Sequence, residues 1–442
     1  MDRSLFLLRC STVVVAFAVF SQVAAAQTFG SSRGGLYQDD SVGFLKVAGG
    51  CTASGVDIQP DKKIVAVGTQ ISDGDNRIVA VRFGSDGSLD PSFGDKRRDA
   101  RAGFAVLSPG RNSRAESIAI DLQSGAILVV GNVDSAKGPS AFVVRLTESG
   151  AIDASFQNDG ILIHQFESQI DAGGGFGTQP TWATDITVDG RGNVLIAGRT
   201  GYPRNHDAFI SKFSGDGELL WSQKHGTGGF DDGANTMSVR RKEPPYKIYT
   251  TGFSTITNMI KAFDSEGATQ IGQSSLGFCV RSFGISYDPS TDRVLCAGNM
   301  GRDMIVRVMS SRPEVIPEIE YSNPFKAQQI DSYCRGIRHL NNGRAAVVGH
   351  GRPYDATDNR DRRFQFALYE PDASLVTSDM PKFGGPAAAL DVAAHSNSLI
   401  VISGRVLTDQ TSTDSGEFRM GFVAYDGDGT MVGRPWTFMP DE

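Results

Sequence analysis

Residues 63–68 read KIVAVG, and a short apolar run closing on glycine returns at AILVVG (126–131), NVLIAG (193–198), KIYTTG (247–252), RVLCAG (293–298), RAAVVG (344–349) and LIVISG (399–404). These seven glycines stand about 56 residues apart on average, the spacing of an internal repeat. A second strand precedes the run, as in GVDIQ (55–59), SIAIDL (117–122), ATDITVD (183–189), SFGISYD (282–288) and ALDVAAH (389–395). Polar turns such as PDK, QSG, DGRG and PSTD join the two. A third strand follows: RIVAVRF (77–83), SAFVVRL (140–146), DAFISKF (207–213), NMIKAF (258–263), DMIVRV (303–308), FQFALY (364–369) and MGFVAY (420–425). Most copies then turn again, at Asp86-Gly87, Ser149-Gly150, Asp216-Gly217, Glu266-Gly267 and Asp428-Gly429; the sixth has Asp372-Ala373 and the fifth has no such turn.

The glycine-ended runs are apolar at nearly every residue, whereas a strand buried on one face alternates, so both faces are expected to be covered. Tight hairpin turns make the sheets antiparallel and leave no crossover helices to do the covering. Neighbouring sheets must do it, and small antiparallel sheets stacked around an axis form a propeller. The sequence therefore predicts an all-β fold, a seven-bladed β-propeller of four-stranded antiparallel sheets. The repeats fall near 51–110, 111–180, 181–230, 231–277, 278–328, 329–385 and 386–442 of a single domain, 27–442. Residues 27–50 look like the tail of a unit and the chain stops near where an outer strand is due. Gly43 to Ala48 is thus expected to close the ring as the outer strand of the last blade, beside Met420 to Tyr425; Met431 to Phe438 is the competing candidate.

At these residues the chain resembles known repeats. DIQPDKKIVAVG…RIVAVRFGSDGSLDPSFG (57–94) resembles the delta-60 repeat, and RLTESGAIDASFQNDG (145–160) matches it more loosely. DITVDGRGNVLIAGRTG…DAFISKFSGDGELLWSQKHG (185–226) is similar to the bacterial SBBP repeat. The resemblance covers residues 55–226 well; copies four to seven keep the spacing and lose much of the motif. It implies a propeller in exported bacterial proteins and carries no catalytic set.

Composition agrees. The chain has 442 residues with 52 Gly, about 12% against the usual ~7%. A net charge of −7 argues against nucleic acid as the main partner. Residues 1–26 read as a cleavable signal peptide: Arg3 and Arg9, an apolar run from Val13 to Phe20, then Ala24-Ala25-Ala26 before Gln27. That run is too short for a spanning helix, which needs about 20 apolar residues, so an exported protein, periplasmic or extracellular and without a transmembrane segment after cleavage, is expected.

Candidate site residues are few. The Asp-rich turns 72–76, 189–193 and 426–429 invite calcium, but their Asp and Gly fall where hairpins must turn, and no full calcium loop is present. His164, His206, His225, His339, His350 and His395 lack metal-ligand spacing; the last three could gather only if their blades bring them together. Trp221 reads as packing between blades. Lys96-Arg97-Arg98, Arg240-Arg241-Lys242 and Arg360 to Arg363 read as solvated loop charge, with an anionic glycan or surface partner as the sharper reading. Hairpin pairing about 289–292 sets Cys296 opposite Ile285, roughly 20 Å from Cys279 at ~3.3 Å per residue, too far to bridge. Cys279 and Cys334, each preceding an inner strand in adjacent blades, are the possible disulfide, and Cys296 is expected as a buried free thiol. No catalytic, cofactor-binding or metal-binding residue is assigned and no cofactor is implied.

The function expected is a binding scaffold for an envelope, glycan or protein ligand. The alternative is a carbohydrate-active hydrolase or lyase working at the mouth of the central channel. Carboxylates gathered there with Arg or His would favour the enzyme, and a glycine-lined channel would favour binding.

Overall fold

The computed structural model describes residues 50–438, apart from 72–74, 95–102, 170–175, 203–204, 227–231, 242–243, 245, 255–258, 267–269, 276–280, 301, 312–318, 322, 356–361, 397 and 408–417. Seven four-stranded antiparallel sheets follow one another, spanning residues 51–107, 111–164, 181–225, 232–275, 281–321, 330–379 and 387–438. Within each sheet the strands lie in chain order, so every connection is a hairpin. A two-stranded hairpin, Phe166–Gln169 with Phe176–Gln179, sits between the second and third sheets.

Among the described residues the apolar core is divided into seven clusters, each between two adjacent sheets, and the seventh sheet is joined to the first in the same way. The second strand of the first sheet, β2 (Ile64–Gln70), shows why its sequence does not alternate. Ile64 and Ala66 face the seventh sheet, whereas Val65 and Val67 face the second. Both faces are buried, as period-two side-chain geometry requires of a strand between two sheets.

The glycines that mark the repeat do not end their strands; β2 continues past Gly68 to Gln70. Every inner strand carries a β-bulge at one level, between Ala53/Gly55, Ala115/Ser117, Ala183/Asp185, Ala234/Thr236, Ser282/Gly284, Cys334/Gly336 and Ala389/Asp391. The residue before each bulge is paired with a repeat glycine, from Ala53↔Gly68 round to Ala389↔Gly404. The kink drives an inner-strand carbonyl at the facing strand. A Cβ on Gly68 would lie 1.8 Å from the Thr52 carbonyl oxygen, and one on Gly131 1.9 Å from that of Arg114. Glycine is thus demanded by close approach across the sheet. The second turn does need positive φ: Gly87, Gly150, Gly217 and Gly429 adopt φ of 80–88°, and Ala373 keeps φ 72° without being glycine.

Residues 43–48 lie outside the described residues, and the edge of the seventh sheet is held by Trp436–Phe438, paired with Met420–Phe422. The C-terminal segment reaches that edge through the short turn after Tyr425, so placing it costs little loop entropy. Trp436 stacks on Phe422 at 5.3 Å and meets Phe83 of the first sheet edge-on at 5.9 Å. The ring is closed by packing of sheet against sheet.

Replacing Gly131 by Ala should destabilise the protein by about 2–3 kcal/mol, as overpacking at a backbone carbonyl does. Gly215→Ala, whose Cβ would meet nothing nearer than 3.4 Å, should be neutral. Chemical unfolding of both variants checks this; equal midpoints would refute the bulge–glycine account.

Candidate functional site

The seven inner strands enclose a central channel of about 910 Å³, lined from every sheet. Each inner strand is hydrogen-bonded on one side only, so alternate amides face the channel without a strand partner. Side chains of the neighbouring sheet supply the acceptors. Asp185, just past the third bulge, accepts from its own Ile186 amide and, across the gap, from the Met237 amide at 2.7 Å. The hydroxyls of Ser117 and Thr236 add bonds of 2.8 and 2.9 Å. Asp391 occupies the same place in the seventh sheet, accepting from Val392 and, across the closure, from Val56 at 3.0 Å. Asp57 repeats the device two residues further on, between Ile58 and Ile120.

Other residue types solve the same problem elsewhere on the ring. Ser238 accepts from the Tyr287 amide and Ser286 from the His339 amide. The residue after a repeat glycine serves at the opposite end: Thr69, Asn132 and Asn299 accept from the amides of Ala115, Ala183 and Cys334. The residues inserted at two bulges, Ser54 and Thr184, donate to the Ala115 and Ala234 carbonyls of the next sheet.

At a greater radius, a basic residue of the third strand clamps the next sheet. Arg82 pairs with Asp90 at 3.0 Å and donates to the Glu148 carbonyl. Arg145 pairs with Asp153 and reaches the Gly215 carbonyl; Lys212 pairs with Asp189 and reaches that of Ser265. Phe93 and Phe156 are fully buried under Gly150 and Gly217 of the following sheet, where a Cβ would come within 2.6 and 2.9 Å. The R-F and D-x-S-F elements of the repeat are therefore contacts between blades.

Burial raises the carboxyl of Asp185, and raises that of Asp391 to about 6 although two backbone amides oppose it. Arg241 and Arg338 also line the channel, together with His339 and His395. The channel thus gathers carboxylates with Arg and His, the composition that favours an enzyme. Both oxygens of each carboxylate are nonetheless engaged by amides that would otherwise be unsatisfied, which suits a structural girdle rather than proton transfer.

The residues singled out in the sequence are dispersed. His350 is buried and stacks on Tyr333 at 5.3 Å; His164 is buried against Ser211 at 2.9 Å; of the three that might have gathered, only His339 and His395 reach the channel. Asp189 and Asp426 bond their own turns. Arg240 pairs with Asp292, whereas Arg241 enters the channel. Lys96 to Arg98, Lys242 and Arg360 lie outside the described residues. Trp221 packs between the third and fourth sheets and donates to the Ser265 carbonyl. Cys296 is buried and paired in register with Ile285, as the hairpin argument required. Cys334 is likewise buried, its free thiol 3.7 Å from the Gly336 carbonyl and raised to about 12 by burial; Cys279 lies outside the described residues. The sequence reading missed Asp57, Asp185 and Asp391, although each is the lone acid of its inner strand.

Residues 59–93 and 122–156 match a family described as a domain of unknown function (DUF5122) beta-propeller. An aminomethyltransferase from Synechococcus sp. (strain CC9902) is 26% identical over 152 residues, 33% of this chain and 42% of that relative, so the chain spans less than half of it. Similar solved structures include the Dos1 propeller (12% identity, TM-score 0.47, 90% of this chain and 86% of that one). The complex of KlAtg21 with the coiled-coil of AgAtg16 is another (13%, 0.49, 90% and 100%), as is Chaetomium thermophilum Raptor (8%, 0.47, 90% and 28%). With its seven sheets and this family match, the chain is a β-propeller repeat protein.

Burial holds His164, His225 and His339 down to about 4 and His350 to about 3, against about 6.5 in an unfolded chain. Between pH 6.5 and 4 the unfolded chain binds protons that the native one refuses, so stability falls as pH drops through that window. Asp185 and Asp391, and Glu116 raised to about 7 by burial, act in the opposite sense, because the native chain keeps protons that the unfolded one has shed. The four imidazoles outnumber these three carboxyls. Thermal unfolding should occur at least about 5 °C lower at pH 4.5 than at pH 7; an equal or higher midpoint at pH 4.5 would show that the imidazoles do not control acid stability.

Proposed function

We propose that this chain is an exported bacterial interaction scaffold that binds a glycan, protein or envelope component across one face of the disc. The observation that carries this reading is the commitment of the channel carboxylates. Asp57, Asp185 and Asp391 each have both carboxylate oxygens held by backbone amides, one of their own strand and one of a neighbouring blade, and a hydrolase or lyase working there would need one of them free. Channel-mouth side chains from all seven sheets can instead converge on a ligand, as sites of this kind do. Export is supported by the basic, apolar and Ala-rich order of residues 1–26. The delta-60 and SBBP-like motifs support the same setting.

Two measurements test the proposal. The chain beginning at Gln27 is applied to a glycan array and to a panel of purified envelope proteins. Saturable binding to a member of either set is expected, and none in either, by folded protein, would sink the scaffold reading. Mass spectrometry of the native protein should find Gln27 at its N-terminus; an intact Met1 would contradict export.

A further inference from the structure

Three arginines line the channel: Arg335 lies over the Phe283 ring, whereas Arg241 and Arg338 stand at the mouth, where the carboxylates that act on Arg241, those of Asp57, Asp121 and Asp189, already bond other groups. Arg241 is solvent-exposed at the end of the fourth inner strand and donates from Nη2 to the Thr187 hydroxyl at 3.2 Å. Among the described residues no carboxylate lies within ion-pair distance of it. Arg338, from the sixth inner strand, has a side chain 41% exposed and approaches Asp57 at 4.0 Å. That aspartate already accepts from Ile58 and Ile120, at 2.9 and 3.0 Å. Partial desolvation by the channel walls lowers the Arg241 pKa; Asp57, Asp121 and Asp189 oppose this, and the like charge of Arg338 adds to it. His339 and Asn341 line the same mouth beside Leu122, an apolar side chain 60% exposed.

A cavity of about 910 Å³ falls within the range of small-ligand sites, roughly 300–1,000 Å³. The guanidinium fork matches a carboxylate or phosphate in two hydrogen bonds. We propose that the channel mouth binds an oxyanion carried on a small polar ligand, with Arg241 and Arg338 as its donors and Leu122 as an apolar wall. The proposal rests on the scaffold reading and narrows it to an anionic ligand. An acidic sugar and a free organic acid share this chemistry, and the test separates them.

Trigalacturonate, citrate and inorganic phosphate are titrated calorimetrically into the chain at low ionic strength, against sodium chloride of matched ionic strength. At least one should bind saturably where chloride does not. Trigalacturonate alone would indicate an acidic sugar, and citrate or phosphate a free anion. The double variant Arg241→Gln/Arg338→Gln should bind at least about ten-fold more weakly, the scale of a lost hydrogen bond to a charged group. Arg191→Gln, at a surface turn paired with Glu266, should bind like the parent. If the double variant does not fold, Arg241→Lys keeps the charge without the fork and should still lose several-fold. Binding by none of the three probes, or undiminished binding by the folded variants, would overturn the proposal. An array or panel ligand that the double variant still captures would overturn it too, while leaving the scaffold reading intact.

Discussion

A ring of inner strands has a defect built into it: each has a hydrogen-bonding neighbour on one side only, and its other edge is turned towards the channel. A buried amide without a partner costs about 1–3 kcal/mol, and the ring repeats that cost at every blade. Water could fill the channel, but the chain meets much of the demand with side chains of the adjacent blade. Asp185 and Asp391 each tie the amide that follows them to the corresponding amide of the next strand. Ser, Thr and Asn do the same at other levels of the ring. These bonds are directional, so they fix how far one blade is rotated and slid against the next. The apolar clusters between sheets supply more burial energy but specify that register less sharply.

The bulge belongs to the same solution. It bends every inner strand at one level and sets the residue that follows where it can reach the next blade. The cost is a carbonyl driven into the second strand, which only glycine accommodates. The most visible letter of the repeat, the G of VAVG or LIAG, is thus a consequence of the inner-edge geometry. Where the outer motif has decayed, other residues span the gap. Arg344 of the sixth sheet reaches Glu370, Asp428 and the Gly427 carbonyl, Tyr249 donates to the Ser311 carbonyl, and Tyr425 to Asp379. Spacing therefore persists through copies four to seven while the motif fades, since several chemistries can make one bridge.

The blades were legible in the sequence because their signals are local. Apolar runs, turn residues and a fixed spacing identify the hairpins, and hairpin arithmetic was enough to set Cys296 against Ile285. Features that depend on register between strands or between blades were not legible. The glycines looked like strand ends because nothing near Gly68 in sequence reveals that the Thr52 carbonyl is aimed at it. Arg241 looked like one member of a basic loop cluster, and only the inner strand's direction separates it from Arg240, which turns away to Asp292. Asp57, Asp185 and Asp391 were visible as the lone acids of their inner strands, yet their partners lie in the next blade, and for Asp391 the partner is 335 residues away. The expected closing strand, residues 43–48, lies outside the described residues. The two chain ends looked complementary, but the outer-strand position of the seventh sheet is filled locally by Trp436–Phe438.

The central claim is that inner-edge amides are held by side chains of neighbouring blades. Hydrogen–deuterium exchange read at single amides tests it directly, at Val56, Ile120, Met237 and Tyr287, which face the channel and have no strand partner. The account predicts exchange as slow as that of amides inside the sheets, with Met237 released selectively in Asp185→Ala and Val56 in Asp391→Ala. Rapid exchange of all four in the parent protein would contradict it.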